Sequence, residues 1–142
     1  MTTDDQNVTE LAVETCWELL ERGRLGRLAY LLVDEVHMVP INYAVDDGAL
    51  LFRTASGNKL VAAALHAGVA FEIDWYDDRS AWSVVARGEL HRLHEDEAHR
   101  ADSLGLRPWV DTAAYDVLEL RPVEVTGRSF RLQGTEPDDE HA

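Results

Sequence analysis

The chain has 142 residues and a formal net charge of -14, from 27 acidic and 13 basic side chains. A field of this sign repels phosphates, so the composition argues against a nucleic-acid partner. Hydrophobic residues make up 46% of the sequence, which suits one domain with its own core. We find no apolar run long enough to span a bilayer and no signal-peptide pattern, so we expect a cytoplasmic protein without membrane contact.

The first third of the chain predicts one helix followed by a meander of strands. Between Thr9 and Arg22 apolar residues recur at helical spacing, and Gly23 follows as a natural stop. The segments that come next are rich in strand formers and are separated by turn sequences. We expect strands over 25–33, 36–45 and 49–54.

The segment from Phe52 to Leu60 combines two cations with small hydroxyl residues around Gly57. Arginine presents a rigid fork of donors and lysine a mobile point charge, while hydroxyls and backbone N–H groups can complete a ring around an anion. A strand pattern precedes this segment and a helix pattern over 60–65 follows, so the helix dipole also favours an anion here. Two interpretations stay open: a phosphate site, or a polar turn with two surface cations. The candidate phosphate-binding residues are Arg53, Thr54, Ser56 and Lys59.

The second half predicts two long strands, a helix and a bent last strand. Gly88 interrupts the second of these strands, and Pro122 bends the last one because proline cannot donate to a ladder. The predicted elements are strands over 69–75 and 81–93, a helix over 95–104, and a strand over 115–132. With few helices, this pattern predicts a mainly β fold, a six- to seven-stranded antiparallel barrel.

The domain organisation follows from the same patterns. We expect a single domain over residues 9–132, a flexible N-terminus over residues 1–8, and an acidic, disordered C-terminal tail over residues 133–142. The lone Cys16 has no disulfide partner and no CxxC motif, and the spacing of His94 and His99 does not suit a metal site. We therefore expect no bound metal.

Several short motifs, in this order and at these spacings, resemble the pyridoxamine 5'-phosphate oxidase-like, FMN-binding split β-barrel family, in particular its small single-domain actinobacterial members. The likeness runs from about Glu14 to Arg131. The motifs are Gly26-Arg27-Leu28-Ala29, Val39-Pro40-Ile41-Asn42-Tyr43, Phe52-Arg53-Thr54 with Lys59-Leu60, Val69 to Asp74, Ala81 to Gly88, and Val125-Thr126-Gly127-Arg128.

The resemblance implies a homodimer with two FMN sites, each between the subunits. The phosphate of FMN would rest on Arg53, Thr54, Ser56 and Lys59. The backbone at Ile41, Asn42 and Tyr43 would lie against the isoalloxazine ring. Trp82, Ser83 and Arg87 would lie on the strand that lines the dimer interface, although Arg87 has the alternative of a salt bridge at the rim.

Two functions are compatible with this family. The first is an FMN-dependent oxidoreductase acting on a small organic substrate, which needs no classical catalytic residue because the flavin carries the chemistry. The second is a non-catalytic protein that binds or sequesters a flavin, F420 or haem. His37 is the one candidate for a catalytic side chain, since a histidine can hold or release a proton near neutral pH. Its alternative is an ordinary surface histidine on a strand.

Overall fold

The computed structural model describes residues 7–64, 68–106 and 114–133. The described strands are β1 (Val8–Glu10), β2 (Leu25–Leu32), β3 (Glu35–Asn42), β4 (Ala44–Val45), β5 (Leu50–Ala55), β6 (Gly68–Tyr76), β7 (Ser80–Arg92) and β8 (Tyr115–Arg131). The described helices are α1 (Val13–Arg22), α2 (Lys59–Ala64), α3 (Glu95–Ala98) and α4 (Arg100–Ser103). The predicted tail over 133–142 lies outside this part of the chain except for Gln133, and so do residues 1–6 of the predicted N-terminus.

All eight strands belong to one antiparallel sheet with the order β3-β2-β6-β7-β8-β5-β4, and β1 pairs with the far end of β8. The sheet curls until β3 contacts β5, but no ladder between these two strands is formed in the described residues. The result is a mainly β, split barrel, as expected from the sequence.

The longest ladder joins β7 to β8 and contains one irregularity. Its register shifts between Arg87, which faces Glu124, and Gly88, which faces Pro122. Val123 is therefore an extra residue on β8, and its side chain is 86% exposed. Gly88 is required at this point because a Cβ there would lie 2.9 Å from the carbonyl oxygen of Arg121.

Alternating side chains divide the sheet into two faces. We call the face that carries the main core the inner face; Phe52 and Phe71 meet there at 5.2 Å between ring centroids. On the opposite, outer face, α4 covers part of β5 and β8, where Leu51 and Val117 form a second small core with Ala101 and Leu106. The rest of the outer face, over β2, β3, β6 and β7, carries exposed side chains such as Met38.

Helix α1 packs on the inner side against β8. Its buried residues are Cys16 and Leu20, and a Cβ on Gly127 would lie 2.6 Å from the Cys16 sulfur, so the close approach needs glycine. Burial raises the pKa of the Cys16 thiol. The helix begins at Val13 rather than at Thr9, because Thr9 pairs with Ser129 in the short strand β1. None of the helices in residues 7–64, 68–106 and 114–133 is long and apolar enough to cross a membrane.

Candidate functional site

The turn between β5 and α2, residues 55–59, is built around Gly57 and Asn58. Gly57 has a φ of 82°, a left-handed conformation that glycine adopts at little cost. The Asn58 side chain accepts a hydrogen bond from the Leu60 N–H at 2.9 Å and donates one to Thr54 Oγ1 at 3.3 Å. Asn58 therefore caps α2 and ties the turn to the end of β5. Asn58 lies in the predicted segment but was not among its candidate phosphate-binding residues, although asparagine just before a helix is a recognisable cap.

Two predicted phosphate-binding residues point outward from this turn. Ser56 and Lys59 are exposed, whereas Thr54 is buried with 8% of its surface accessible. Lys59 forms no ion pair with any residue that the structure describes. A Cβ placed on Gly57 would meet none of the described residues within 4 Å, so they leave open space beside the turn. The turn thus combines a free cation and an exposed hydroxyl beside open space.

Arg53, the second predicted cation, lies on the outer face of β5, whereas Thr54 lies on the inner face. Its Nη1 donates to the Leu106 carbonyl oxygen at 3.1 Å, and its Nη2 pairs with Asp102 Oδ1 at 2.5 Å. The guanidinium also lies over the ring of Tyr115, 5.2 Å from the centroid. Its Nε is buried without a hydrogen-bond partner in the described residues. Arg53 thus fastens α4 and the Leu106 segment onto the outer face, and the structure does not bring it together with Lys59.

The segment from Ile41 to Tyr43 ends β3 and is held by its side chains. Ile41 is buried opposite Gly26. The Tyr43 hydroxyl donates to the Leu20 carbonyl oxygen at 2.6 Å, and the Tyr43 N–H donates to the Arg24 carbonyl oxygen at 3.0 Å. Burial raises the pKa of Tyr43 well above its usual range. The side chains of Ile41 and Tyr43 are therefore packed inward, and the contact of this segment with a flavin ring stays a prediction.

A cavity of about 740 Å³ opens beside that segment. Asn42 and Tyr43 form one wall, and Gly105 and Leu106 form the wall beneath α4. The volume is in the usual range for small-molecule sites. The cavity therefore provides room for a ligand next to the end of β3.

The three predicted residues on β7 divide between the two faces. Trp82 lies on the inner face and packs against the main core, as the alternation with buried Val84 requires. Ser83 and Arg87 lie on the outer face, and Arg87 is 3.6 Å from Glu124. Arg87 therefore forms an exposed ion pair, and such a pair contributes little stability; its place at a dimer interface stays a prediction.

His37 lies on the inner face of β3 and is partly buried. Its ring stacks on Tyr30, directly opposite on β2, with centroids 5.4 Å apart and an interplanar angle of 15°. Its Nε2 is 3.1 Å from Glu35 Oε1. His37 is thus a partly buried histidine beside an exposed carboxylate.

The outer face carries an ion cluster that the sequence did not predict. Arg27 Nη2 lies 2.7 Å from Glu72 Oε1 and 2.6 Å from Asp74 Oδ2. Desolvation and the hydrogen bond with Asp74 raise the pKa of Glu72, while the hydrogen bonds from Glu72 and Arg27 lower the pKa of Asp74. The Arg27 guanidinium thus binds the carboxyl groups of both Glu72 and Asp74, which are two residues apart on β6. No set of three or more potential metal ligands is found in residues 7–64, 68–106 and 114–133.

Comparison with known proteins identifies the family. Residues 12–129 match the model of the pyridoxamine 5'-phosphate oxidase family. An uncharacterized protein of Mycobacterium tuberculosis is 39% identical over 95 residues, which cover 66% of this chain and 86% of that protein. The fold is similar to that of the FAD-binding protein from Mycobacterium smegmatis, with a TM-score of 0.79, 38% identity, and coverage of 88% of this chain and 100% of that chain.

A second solved structure agrees with this. A conserved protein of unknown function from Corynebacterium diphtheriae superposes with a TM-score of 0.75 at 30% identity, covering 88% of this chain and 99% of that chain. The resemblance inferred from the sequence motifs is thereby confirmed. The chain belongs to the pyridoxamine 5'-phosphate oxidase family.

Proposed function

We propose that this protein binds a flavin nucleotide and that the flavin's 5'-phosphate rests on the turn between β5 and α2. The observation that carries this proposal is the free Lys59, which has no ionic partner in the described residues and lies beside open space at Gly57. In a chain with a net charge of -14, an unpaired cation next to an exposed hydroxyl favours a local anion. Lys59, Ser56 and Thr54 are the proposed phosphate-binding side chains.

Arg53 has a different place in this proposal. The Arg53 guanidinium already donates hydrogen bonds to Asp102 and to the Leu106 carbonyl oxygen. These hydrogen bonds would have to break before Arg53 could bind the phosphate. The proposal therefore does not rely on Arg53 as a phosphate ligand, although the sequence predicted that role. We infer that its main task is to hold the α4 segment, which also forms one wall of the cavity beside Asn42 and Tyr43.

FMN is the flavin that we propose, with FAD as the closest variant. The Mycobacterium smegmatis relative is an FAD-binding protein, and FAD contains the same riboflavin 5'-phosphate unit as FMN. The proposed phosphate site therefore serves both. F420 and haem remain the alternatives from the sequence, and a purified protein with the absorption spectrum of either one would favour that alternative.

The proposed activity is oxidation or reduction of a small organic substrate. When bound, the flavin would supply hydride and electron transfer, and the protein would supply binding and orientation. The rigid backbone from Ile41 to Tyr43 suits the support of a planar ring, because Tyr43 is fixed both through its hydroxyl and through its N–H. His37, with Glu35 beside it, is the proposed candidate for a catalytic side chain.

We also propose a homodimer formed through the outer face. This face carries exposed apolar side chains from neighbouring elements, which monomeric proteins rarely cluster. Leu31, Val36 and Met38 are 46%, 73% and 65% exposed, and Val123 projects from the β8 irregularity beside them. Ser83 and Arg87 lie on the same face. A second copy is the proposed occupant, which would bring these residues close to the subunit boundary.

The test is the visible spectrum of the purified protein, followed by addition of reductants. We expect a yellow protein, or a colourless one that becomes yellow on reconstitution with FMN. Bleaching by NAD(P)H or by reduced F420 would support an oxidoreductase, whereas a bound flavin that no reductant bleaches would support a binding protein. A colourless protein that takes up neither FMN nor FAD would contradict the proposal.

A further inference from the structure

A polar cavity of about 630 Å³ lies at the end of the barrel formed by β1, the start of β7 and the end of β8. The ladder register brings its side chains together. Thr9 pairs with Ser129, and Ser80 pairs with Arg131. Directly opposite residues of an antiparallel pair share a face, and Ser129 and Arg131 are two apart on one strand. Three hydroxyls and a guanidinium therefore project from the same face.

A second arginine is fixed at the rim of this cavity by backbone hydrogen bonds. The Arg79 carbonyl oxygen accepts from the Leu132 N–H at 2.8 Å, which ties the β6–β7 turn to the end of β8. Asp77 Oδ1 accepts the N–H groups of Arg79 and Ser80, each at 2.8 Å. These bonds lower the pKa of Asp77 and hold the turn in one conformation. Arg79 and Arg131 thus reach the cavity from two neighbouring, connected segments.

The charge of the cavity runs against the charge of the protein. Among the described lining residues, the only charged ones are Arg79 and Arg131. Neither guanidinium forms an ion pair with a carboxylate in the described residues, which is also true of Arg22, Arg24 and Arg128. What distinguishes the cavity is that it brings two such arginines beside three hydroxyls in a chain with a net charge of -14.

We propose that this cavity binds a small phosphate monoester, with its phosphate on Arg79 and Arg131 and on the hydroxyls of Thr9, Ser80 and Ser129. Guanidinium groups bind phosphate oxygens in a bidentate manner, and hydroxyls add further donors. The volume exceeds that of a phosphate ion and falls in the range of small-molecule sites, while Leu132, which follows the end of β8, gives the organic part an apolar neighbour in the lining. Lys59 and its turn lie at the other end of β8, so the two sites are separate.

The test is an NMR titration of the full chain with inorganic phosphate and with phenyl phosphate, at constant ionic strength. We expect amide shifts that saturate at Thr9, Ser80 and Ser129, with phenyl phosphate binding tighter than inorganic phosphate. In the double variant Arg79→Gln/Arg131→Gln, we expect phenyl phosphate to bind at least about tenfold more weakly, because charge-assisted hydrogen bonds are lost. Both arginines are exposed, so this variant should fold normally.

Lys59→Ala is the matched control, since it removes a cation of the other proposed site. It should leave phenyl phosphate binding at the Arg79 cavity unchanged, so failure of the flavin proposal would not affect this result. Unchanged binding in the double arginine variant would overturn the inference. Equal shifts with sodium chloride alone would also overturn it, because they would indicate only a general response to salt.

Discussion

Arg53 and Thr54 are neighbours in sequence, yet their side chains lie on opposite faces of β5. Thr54 points inward like Phe52 and accepts a hydrogen bond from Asn58, whereas Arg53 points outward and pairs with Asp102 on α4. The alternation of a strand makes this separation unavoidable. The two cations of this segment therefore have different environments, one free at the turn and one engaged beneath a helix.

Replacing Arg53 with methionine tests this division of roles. The variant Arg53→Met keeps the apolar stem but loses the bonds to Asp102 and to the Leu106 carbonyl oxygen. We expect a loss of about 1 kcal/mol in the free energy of unfolding, because these contacts are partly exposed, and nearly unchanged flavin affinity. Urea denaturation and a flavin titration measure the two quantities. Lost flavin binding with unchanged stability would instead make Arg53 a phosphate ligand.

The contact of Tyr43 with the end of α1 predicts a non-additive pair of substitutions. Tyr43→Phe removes a buried hydrogen bond to the Leu20 carbonyl oxygen and should cost about 1–2 kcal/mol. Gly23→Ala places a Cβ against the Tyr43 hydroxyl and should cost about 2 kcal/mol, although the Gly23 φ of -88° suits alanine. In the Tyr43→Phe background the obstructing oxygen is gone, so the same Gly23→Ala change should cost less than about 1 kcal/mol. Additive costs in a double-mutant cycle would show that the contact does not matter.

The Arg27 cluster predicts a pH-dependent effect of one substitution. The folded protein raises the pKa of Glu72, chiefly by desolvation, so the folded state binds this proton more tightly than the unfolded state. The resulting stabilisation is present below the unfolded pKa of about 4.3 and is lost as the pH rises through the folded pKa. Asp74, whose pKa is lowered, acts in the opposite sense. Glu72→Gln removes the Glu72 effect while retaining a hydrogen-bonding group.

We therefore expect the melting temperature of Glu72→Gln, relative to the wild type, to increase between pH 4 and pH 7. Differential scanning calorimetry at several pH values measures this difference. Glu124→Gln is the control, because Glu124 forms only an exposed pair with Arg87. A difference that stays constant with pH, or that decreases, would contradict the assignment of a raised pKa to Glu72.

The outer face predicts the effect of charge on self-association. Met38→Glu combined with Val123→Glu places two carboxylates on the apolar surface proposed as the dimer interface. Their burial against a second copy is unfavourable, so we expect a monomer where the wild type is a dimer. Light scattering coupled to size-exclusion chromatography measures the mass. Val13→Glu, a similar change at an exposed position on α1, should remain dimeric. If the outer-face variant and Val13→Glu had the same mass in solution, this face would be excluded as the interface.

The long strands were largely predictable, because the alternation of apolar and polar side chains is visible within each segment's own sequence. Strand β1 was not, since Val8, Thr9 and Glu10 form a strand only by pairing with β8, more than a hundred residues later. The same applies to the irregularity in β8. Pro122 indicated a bend, but the identity of the extra residue, Val123, depends on the register with β7.

The candidate site was predictable to a similar extent. A glycine and a lysine after a strand indicated an exposed, cationic turn, and the open space at Gly57 agrees with this. The environment of Arg53 was not predictable, because its partner Asp102 lies 49 residues away on a helix whose position depends on tertiary packing. Arg79 and Arg131 were missed for the same reason, since only the β7–β8 register brings them together.

The central claim is that a flavin binds with its phosphate at Lys59, and fluorescence titration with FMN tests it most directly. Wild type, Lys59→Ala and the control Arg22→Ala, which removes an exposed cation from α1, are titrated side by side. We predict saturable binding to the wild type and to Arg22→Ala, and affinity at least about tenfold lower for Lys59→Ala at unchanged melting temperature. Equal affinity of all three proteins, or no binding to the wild type, would contradict the claim.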